Sequence, residues 1–336
     1  MKKHSIAASC GNDSIVVTGA TGMIGAAIVA EALAQNKRVA AIVRPNSPNR
    51  QNLQNLVGHP NLEIIECGLE GYANLNLTVK HGAFLHMAWQ STDAASRDDV
   101  YLHLDNIKYT IDAVHAAHRA GCEVFVSAGS QAEYGLVTEK LGENTACKPE
   151  SGYGIAKYAA GQMARIVASQ LGMRSCHARI LSTYGEGLSD NSIIIYLIKT
   201  LLAGEKPLLT KCGQIWDYMY VRDTARAFLA IAAGGENGKA YPLGSGIARP
   251  LREYVETIRD MIDPALELGF GEKEYYPHQP MYLCADIREL TADTGFKPTV
   301  GFAEGIGKTI AWVKTSCAPN GHTPLRSPPS VWPWQS

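Results

Sequence analysis

The chain has 336 residues, a length typical of about two domains or of one enlarged α/β unit with a smaller lobe. Hydrophobic residues make up 46% and charged residues 19%, a globular composition that excludes disordered, collagen-like and coiled-coil chains. With 31 Lys and Arg against 32 Asp and Glu, the net charge is −1, so we expect neither nucleic acid nor a membrane surface as a partner.

Short runs rich in β-branched residues alternate with helix-length segments through the first half of the chain. The runs predict buried strands over 14–17, 38–43, 62–65, 83–87, 123–127 and 175–180. The longer periodic segments predict helices over 23–33, 105–119 and 153–171. Because strands and helices alternate, we expect a Rossmann-type, doubly wound α/β fold whose parallel sheet is covered on both faces.

The rhythm breaks after residue 180 into shorter, mixed segments, which indicates a second lobe. We predict a Rossmann domain over 12–180, to which 216–235 returns. A smaller C-terminal substrate-binding lobe is predicted from 181–215 and 236–314. The last residues, 315–336, are rich in proline and show no helical period, so we expect a disordered tail.

The first predicted strand leads directly into a glycine-rich turn, TGATGMIG over 18–25. Glycines at three-residue spacing permit a tight turn and close approach of the backbone to a pyrophosphate, and the following helix start supplies unpaired N–H groups. Because this turn lies in a βαβ unit, it favours a dinucleotide site over a plain turn. The predicted cofactor contacts in the turn are Gly19, Thr21, Gly22, Met23, Ile24 and Gly25.

The second predicted strand is followed by Arg44, where NAD-selective sites usually carry an acid for the adenosine ribose. A planar guanidinium suits a 2′-phosphate, so NADP(H) is favoured over NAD(H), although an ordinary surface arginine is the alternative. Arg50 on the same loop is a weaker candidate for this contact.

Tyr153 and Lys157 lie at i and i+4 near the start of a predicted helix and therefore share one face. An ammonium near a phenol lowers the phenol pKa, which makes Tyr153 usable as an acid or base. Ser130 follows the fifth predicted strand, where ligands meet an open α/β sheet. A YxxxK pair alone is often an ordinary surface pair, and here it gains force from the glycine turn and the strand-end serine.

These three elements together make the chain resemble the extended short-chain dehydrogenase/reductase superfamily, in its NAD-dependent epimerase/dehydratase family. Further matching segments are AFLHMAW (83–89), ARILSTYGEG (178–187), WDYMYVRDTARA (216–227) and ADIRELTADTGFKP (285–298). The resemblance implies that Tyr153 is the proton donor or acceptor and that Lys157 binds the cofactor ribose and tunes the tyrosine. It also implies that Ser130 is the hydrogen-bond partner of the reacting oxygen.

The family includes epimerases, dehydratases and reductases. Its dehydratases carry a Thr-Asp-Glu run whose acids move protons, whereas this chain has Ser130, Gln131 and Ala132 there, which disfavours dehydration. Its epimerases carry the strand-end acid that Arg44 replaces. The resemblance therefore implies NADPH-dependent reduction of a ketone to a secondary alcohol, on a nucleotide-linked 4-keto-6-deoxy sugar, with Tyr153 as proton donor. An NAD-dependent 4-epimerase, a reductase of a small non-nucleotide ketone and an NADP-sensing regulator are the alternatives.

The departures from the family pattern concern the substrate. Trp216 stands where many members have an arginine for the nucleotide phosphates, and Ser182 replaces a common asparagine. Glu133 is interpreted either as a substrate contact or as a structural residue. The predicted substrate contacts are Trp89, Gln131, Glu133, Ser182, Tyr184 and Trp216, with Tyr218 as a further pocket candidate. Aromatic residues near a sheet end also serve as core packing.

The resemblance also bears on partners and metals. It implies a small-molecule substrate and a homodimer formed through the two long helices. Metal plays no part in the family's chemistry. His115, His118 and Cys122 fall at helical spacing, but Gly121 is predicted to end the helix before Cys122, so we expect no metal site.

The eight cysteines are scattered without a CxxC pair, which favours reduced thiols. The apolar run near the N-terminus is too short for a signal peptide, and no segment has the roughly 18 apolar residues of a membrane span. We therefore expect a cytoplasmic protein.

Overall fold

The computed structural model describes residues 13–275 and 279–316. Of the predicted disordered tail, residues 315 and 316 end the last helix, and 317–336 lie outside the described residues. Within the described residues the structure is built from short strands and from α-helices of 7 to 20 residues, with a few short 3₁₀ turns between them.

The strands are β1 (Ser14–Thr18), β2 (Arg38–Val43), β3 (Leu62–Glu66), β4 (Ala83–His86), β5 (Val124–Ser130), β6 (Arg174–Ile180), β7 (Ser182–Tyr184), β8 (Leu208–Leu209), β9 (Ile215–Trp216), β10 (Tyr218–Tyr220), β11 (Ala240–Leu243), β12 (Arg249–Pro250) and β13 (Gly269–Phe270). The helices are α1 (Met23–Ala34), α2 (Val100–Arg119), α3 (Gly152–Gln170), α4 (Ile193–Leu202), α5 (Val221–Gly234), α6 (Leu251–Ile262), α7 (Arg288–Thr294) and α8 (Phe302–Ser316).

Seven strands form one parallel sheet in the order β3-β2-β1-β4-β5-β6-β11. The chain winds outward in one direction from β1 through β2 to β3, and in the other from β4 onward. The carboxyl ends of β1 and β4 therefore face a crevice, which is where open α/β sheets bind ligands. This order confirms the predicted Rossmann-type, doubly wound fold.

Side chains of successive strand residues alternate between two helical layers. Ile15 and Val17 pack in a core with α1 and α5 on one face, and Val16 packs with α2 and α3 on the other. All three side chains are almost completely buried. Such strands, buried on both faces, explain the unbroken apolar runs in the sequence.

Two elements extend beyond their predicted bounds. Strand β5 continues to Ser130, because its last residues pair with β6 as far as Ser130 opposite Ile180. Helix α2 starts at Val100, five residues before the predicted start, because the Asp99 side chain accepts a hydrogen bond from the Leu102 N–H at 3.1 Å and caps the helix.

One boundary of the predicted domains is wrong. Residues 240–243 were expected in the substrate lobe, but they form β11, the edge strand of the central sheet, in register with β6 (Tyr241 opposite Ala178). A four-residue strand gives too short a pattern to be separated from the neighbouring segments by periodicity.

The smaller lobe has its own core, formed by α4, α6 and α8 around an aromatic cluster. Tyr184, Tyr218, Tyr254 and Phe302 meet there with ring centroids 4.5 to 6.0 Å apart. None of the helices that the structure describes combines the length and apolarity needed to cross a bilayer.

Candidate active site

The glycine turn between β1 and α1 is shaped largely by close backbone packing. Gly19 has φ of +63°, and a Cβ on it would lie 2.8 Å from the backbone nitrogen of Ala88. A Cβ on Gly25 would lie 2.2 Å from the Gly19 carbonyl oxygen, so helix and turn meet only because no side chain is present. At Gly22 a Cβ would lie 3.3 Å from the Gly19 carbonyl oxygen, which is still a tight contact but the least crowded of the three.

Helix α1 begins directly after this turn. Its N-cap is Gly22, which supplies no side-chain cap, so the first-turn N–H groups are available to a ligand together with the positive end of the helix dipole. A glycine turn in front of an uncapped helix start fits the pyrophosphate of a dinucleotide.

The loop after β2 is tied to this turn. Thr21 shares a hydroxyl hydrogen bond of 2.8 Å with Ser47, and its carbonyl accepts from the Asn52 amide at 2.9 Å. Arg44 is exposed at the end of β2, beside this loop. The Arg50 guanidinium instead pairs with Glu66 at 2.6 Å, which makes Arg50 the less available of the two cations.

The three predicted catalytic side chains lie together at the carboxyl edge of the sheet. Ser130 ends β5, Tyr153 is the second residue of α3, and Lys157 is one turn further along the same helix. The Ser130 side chain lies near enough to the Tyr153 hydroxyl to lower its pKa as a hydrogen-bond partner. Lys157 is 5% exposed and donates to the Ala128 carbonyl at 3.0 Å.

The protonation of this group depends on burial as much as on charge. Burial raises the pKa of Tyr153, whereas the Ser130 hydrogen bond and the Arg97 guanidinium lower it and the Glu133 carboxylate raises it. Burial lowers the pKa of Lys157 to about 7, against the opposing effect of Glu133. Lys157 therefore changes charge near neutral pH.

Trp89 lies against the catalytic pair. Its ring is edge-on to Tyr153 at a centroid distance of 6.0 Å, and the Lys157 Nζ lies 3.8 Å from the Trp89 ring centroid. The indole Nε1 is buried and has no hydrogen-bond partner among the described residues, so it is a donor that a ligand can use. Gln131 is partly exposed at the start of the helical turn after β5.

Glu133 lies in the helical turn after β5 and is fully buried. One carboxylate oxygen accepts from the Ser130 N–H at 2.8 Å and contacts His177 Nε2 at 2.9 Å, and the other accepts from Arg179 Nε at 2.7 Å. Burial alone would raise the pKa of Glu133, but His177 and Arg179 lower it to about 2. Of the two interpretations, these contacts favour the structural one for Glu133.

The aromatic substrate candidates of the smaller lobe lie in its core. Tyr184 is 1% exposed in the core of the smaller lobe and donates its hydroxyl to the Phe302 carbonyl. Trp216 is 2% exposed, and its indole donates to the Ser182 hydroxyl at 2.7 Å, so two predicted contacts bind each other. Tyr218 is likewise buried. These rings pack the lobe because its apolar helices enclose them, while Ser182 keeps partial exposure.

Sequence reasoning missed Arg97 and His103 near Tyr153. The Arg97 Cζ lies 5.3 Å from the Tyr153 ring centroid, and the His103 ring lies 5.7 Å from it. The Arg97 carbonyl accepts from the Tyr153 N–H at 2.8 Å and contacts His103 Nε2 at 3.0 Å, which fixes that nitrogen as the protonated one. Neither residue lies in a recognisable motif, and only the packing of α2 against α3 brings them to the site.

Across residues 13–275 and 279–316, no cluster of three His, Cys, Asp or Glu side chains has a geometry suited to a metal ion. Helix α2 ends at Arg119, and Gly121 takes a left-handed φ of +70°, so Cys122 does not continue the helix that carries His115 and His118.

Comparison with known proteins agrees with this geometry. Residues 15–244 match the profile described as NAD dependent epimerase/dehydratase family. A dTDP-4-dehydro-6-deoxyglucose reductase from Escherichia coli is 22% identical over 312 residues, which cover 90% of this chain and 98% of that protein. A dTDP-glucose 4,6-dehydratase from the same species is 23% identical over 89% of this chain and 92% of that protein.

Solved structures share the fold. The crystal structure of UDP-glucuronic acid 4-epimerase from Bacillus cereus in complex with NAD superposes with a TM-score of 0.76. That protein is 18% identical in sequence, and the match covers 90% of this chain and 99% of that one.

Proposed function

Because the chain belongs to the NAD-dependent epimerase/dehydratase family, we propose that it is an NADPH-dependent reductase that converts the ketone of a nucleotide-linked 4-keto-6-deoxy sugar into a secondary alcohol. Membership makes it an enzyme of the extended short-chain dehydrogenase/reductase type that uses a nicotinamide dinucleotide. The finer assignment, to reduction and to NADPH, is argued below.

The observation that carries the proposal is the placement of Ser130 at the end of β5 beside the start of α3, which presents Tyr153 and, one turn further on, Lys157. The dinucleotide, when bound, supplies the hydride that reduces the carbonyl carbon. Ser130 holds the carbonyl oxygen, and Tyr153 gives its hydroxyl proton to that oxygen as negative charge develops there. Lys157 stabilises the resulting phenolate and binds the ribose that lies beside it.

Reduction is favoured over dehydration because the site lacks the acids that remove water. Gln131 and Ala132 follow Ser130, and neither side chain can transfer a proton at neutral pH. Glu133, the carboxylate nearest to Ser130 in sequence, is buried against His177 and Arg179. The match to a dTDP-4-dehydro-6-deoxyglucose reductase over 90% of the chain supports a dTDP-linked 4-keto-6-deoxy sugar as the substrate class.

The choice of NADPH rests on Arg44. An exposed guanidinium at the end of β2 is suited to a 2′-phosphate, and the acid that would hold the ribose hydroxyls of NAD is absent from that position. We also propose a homodimer, since α2 and α3 expose large apolar side chains on the outer surface.

The first test identifies the dinucleotide released from denatured purified protein and titrates the emptied protein with NADPH and NADH. We expect NADPH to bind at least about tenfold more tightly, which is ~1.4 kcal/mol. Arg44→Ala should remove this preference, and Arg38→Ala, an exposed arginine at the opposite end of β2, should leave it intact.

The second test supplies a dTDP-4-keto-6-deoxy sugar and follows NADPH oxidation and the formation of the alcohol. The protein would instead be a 4-epimerase if it retains NAD tightly and shows no preference for NADPH. It would then interconvert two 4-epimers without net oxidation of the cofactor.

A further inference from the structure

The segment that precedes α2 is fastened to the start of α3, the helix that carries the catalytic tyrosine. The Tyr153 N–H donates to the Arg97 carbonyl at 2.8 Å, and the Gly152 N–H donates to the Asp98 carboxylate at 2.7 Å. A Cβ on Gly152 would approach the Arg97 carbonyl to 3.2 Å, so the two backbones are in close contact. Arg97 is thus held next to Tyr153 by main-chain bonds that do not depend on its side chain.

The Arg97 side chain uses this position to lie over the phenol ring. Its Cζ is 5.3 Å from the ring centroid, slightly nearer than the Lys157 Nζ at 5.7 Å. Burial lowers the pKa of Arg97, while the adjacent Tyr153 and Asp98 raise it, and a guanidinium stays charged throughout the working pH range.

Among the described residues, four charged or titratable groups face Tyr153. Lys157 lies on the same helix, Arg97 on the segment before α2, His103 on α2 and Glu133 on the turn after β5. The Glu133 charge opposes formation of a phenolate. Lys157 offsets that charge only while it is protonated, and burial brings its pKa to about 7. Arg97 is then the cation beside Tyr153 whose charge does not depend on pH.

We propose that Arg97 is a positioning residue for the reaction, with its guanidinium stabilising the phenolate that Tyr153 becomes when it gives up its proton. In the proposed reduction, the hydride from NADPH forms the new C–H bond and the carbonyl π electrons move to oxygen. The O–H bond of Tyr153 then breaks, its proton joins that oxygen, and the negative charge is left on the phenol oxygen. The chemical step rests on the proposed function, whereas the effect on Tyr153 itself does not.

The first experiment therefore needs no substrate. Protein carrying ring-labelled tyrosine is titrated by NMR, and the Tyr153 resonance is identified by its loss in Tyr153→Phe. We expect Arg97→Gln to raise the Tyr153 pKa by about one unit and Arg97→Lys to restore most of the difference. The control Arg165→Gln removes an exposed guanidinium from α3, the helix that carries Tyr153, and should leave the Tyr153 resonance unchanged. Equal titration of the Tyr153 resonance in wild type and Arg97→Gln would overturn the proposal.

The second experiment measures kcat against pH for ketone reduction. Since Tyr153 must be protonated to donate, activity falls above its pKa. Arg97→Gln should therefore lower kcat near neutral pH by about tenfold while moving the alkaline limb upward, with NADPH affinity unchanged. If no ketone is reduced by the wild type, the proposed function fails and the NMR titration still decides the role of Arg97. If reduction occurs and neither the profile nor the resonance moves in Arg97→Gln, Arg97 has no such role.

Discussion

Tyr153 combines a partly buried ring with a hydroxyl beside Ser130, and this combination makes the loss of its hydroxyl easy to interpret. Tyr153→Phe keeps the ring that packs against Trp89 and removes only the donor. We expect kcat for reduction to fall by about 10²- to 10⁴-fold, with NADPH affinity changed little. Steady-state rates and a fluorescence titration measure the two quantities, and a Tyr153→Phe protein as active as wild type would exclude the proposed proton transfer.

Glu133 and Glu66 should differ greatly in how much each carboxylate contributes to the stability of the folded protein. Glu133→Gln leaves the Arg179 cation buried without its counter-charge, so we expect a loss of about 3–5 kcal/mol in the free energy of unfolding. The matched control is Glu66→Gln, which removes the half-exposed partner of Arg50 and should cost below about 1 kcal/mol. Urea denaturation at neutral pH compares them, and equal losses would contradict the structural role of Glu133.

The same carboxylate predicts how stability depends on acid. The pKa of Glu133 is about 2 in the folded protein against an ordinary value of 4.5. Because the folded-state value is lower, its stabilisation is complete above about pH 4.5 and is lost as pH falls toward 2. The difference in unfolding free energy between wild type and Glu133→Gln should therefore shrink between these pH values. A difference that stays constant would mean that Glu133 does not carry the charge.

At the scale of single residues, sequence motifs predicted a group of side chains that the structure brings together, and missed what surrounds it. Ser130, Tyr153 and Lys157 could be selected because strand ends and helix periodicity are local properties. Burial of Tyr184 in the lobe core depends on which elements pack around it, which spacing does not encode. Arg97 reaches Tyr153 through a loop conformation, and no local pattern specifies it.

Among the elements, the turn between β1 and α1 depends most directly on one missing side chain. A methyl group on Gly25 would lie 2.2 Å from the Gly19 carbonyl oxygen, so Gly25→Ala must displace α1 from the turn. We expect at least about tenfold weaker dinucleotide binding and a loss of about 1–3 kcal/mol in stability. Calorimetric titration and thermal unfolding measure both effects.

Gly301→Ala is the control for this change, because nothing lies within 4 Å of the added methyl group. It should leave cofactor binding and stability near wild type. Unimpaired dinucleotide binding in Gly25→Ala would show that the turn does not form the cofactor cradle.

Strand and helix positions in the first half of the chain were predicted within a few residues, since fully buried strands stand out as apolar runs. The exceptions have physical causes. Because Asp99 caps it, α2 starts five residues before its predicted start. Strand β11 is only four residues long. The pairing of β11 with β6 joins residues far apart in sequence, so no local signal marked it.

For the whole molecule, the outer surface of α2 and α3 predicts self-association. Tyr101, Leu104, Ile155, Met163 and Ile166 are exposed there, at 43% to 82% of their side-chain surface. Clustered apolar side chains of this size mark interaction sites on soluble proteins. We expect a dimer by analytical ultracentrifugation and a monomer for Ile166→Glu.

The control for dimerisation is Val57→Glu, which changes a similarly exposed apolar residue outside α2 and α3. It should leave the dimer intact. A wild-type protein that sediments as a monomer at high concentration would refute the assignment of this face.

The late entry of α5 and β11 into the central sheet has a consequence for synthesis. When the ribosome has added Ile180, every strand of that sheet except β11 has been made, yet the part of the face that Phe228 and Ile231 cover is still exposed and β6 is an open edge. Uncovered apolar surface and unpaired strand edges are what nascent chains aggregate through and chaperones bind. A chain released while residues 181–243 are being translated would therefore expose both until it is degraded or bound.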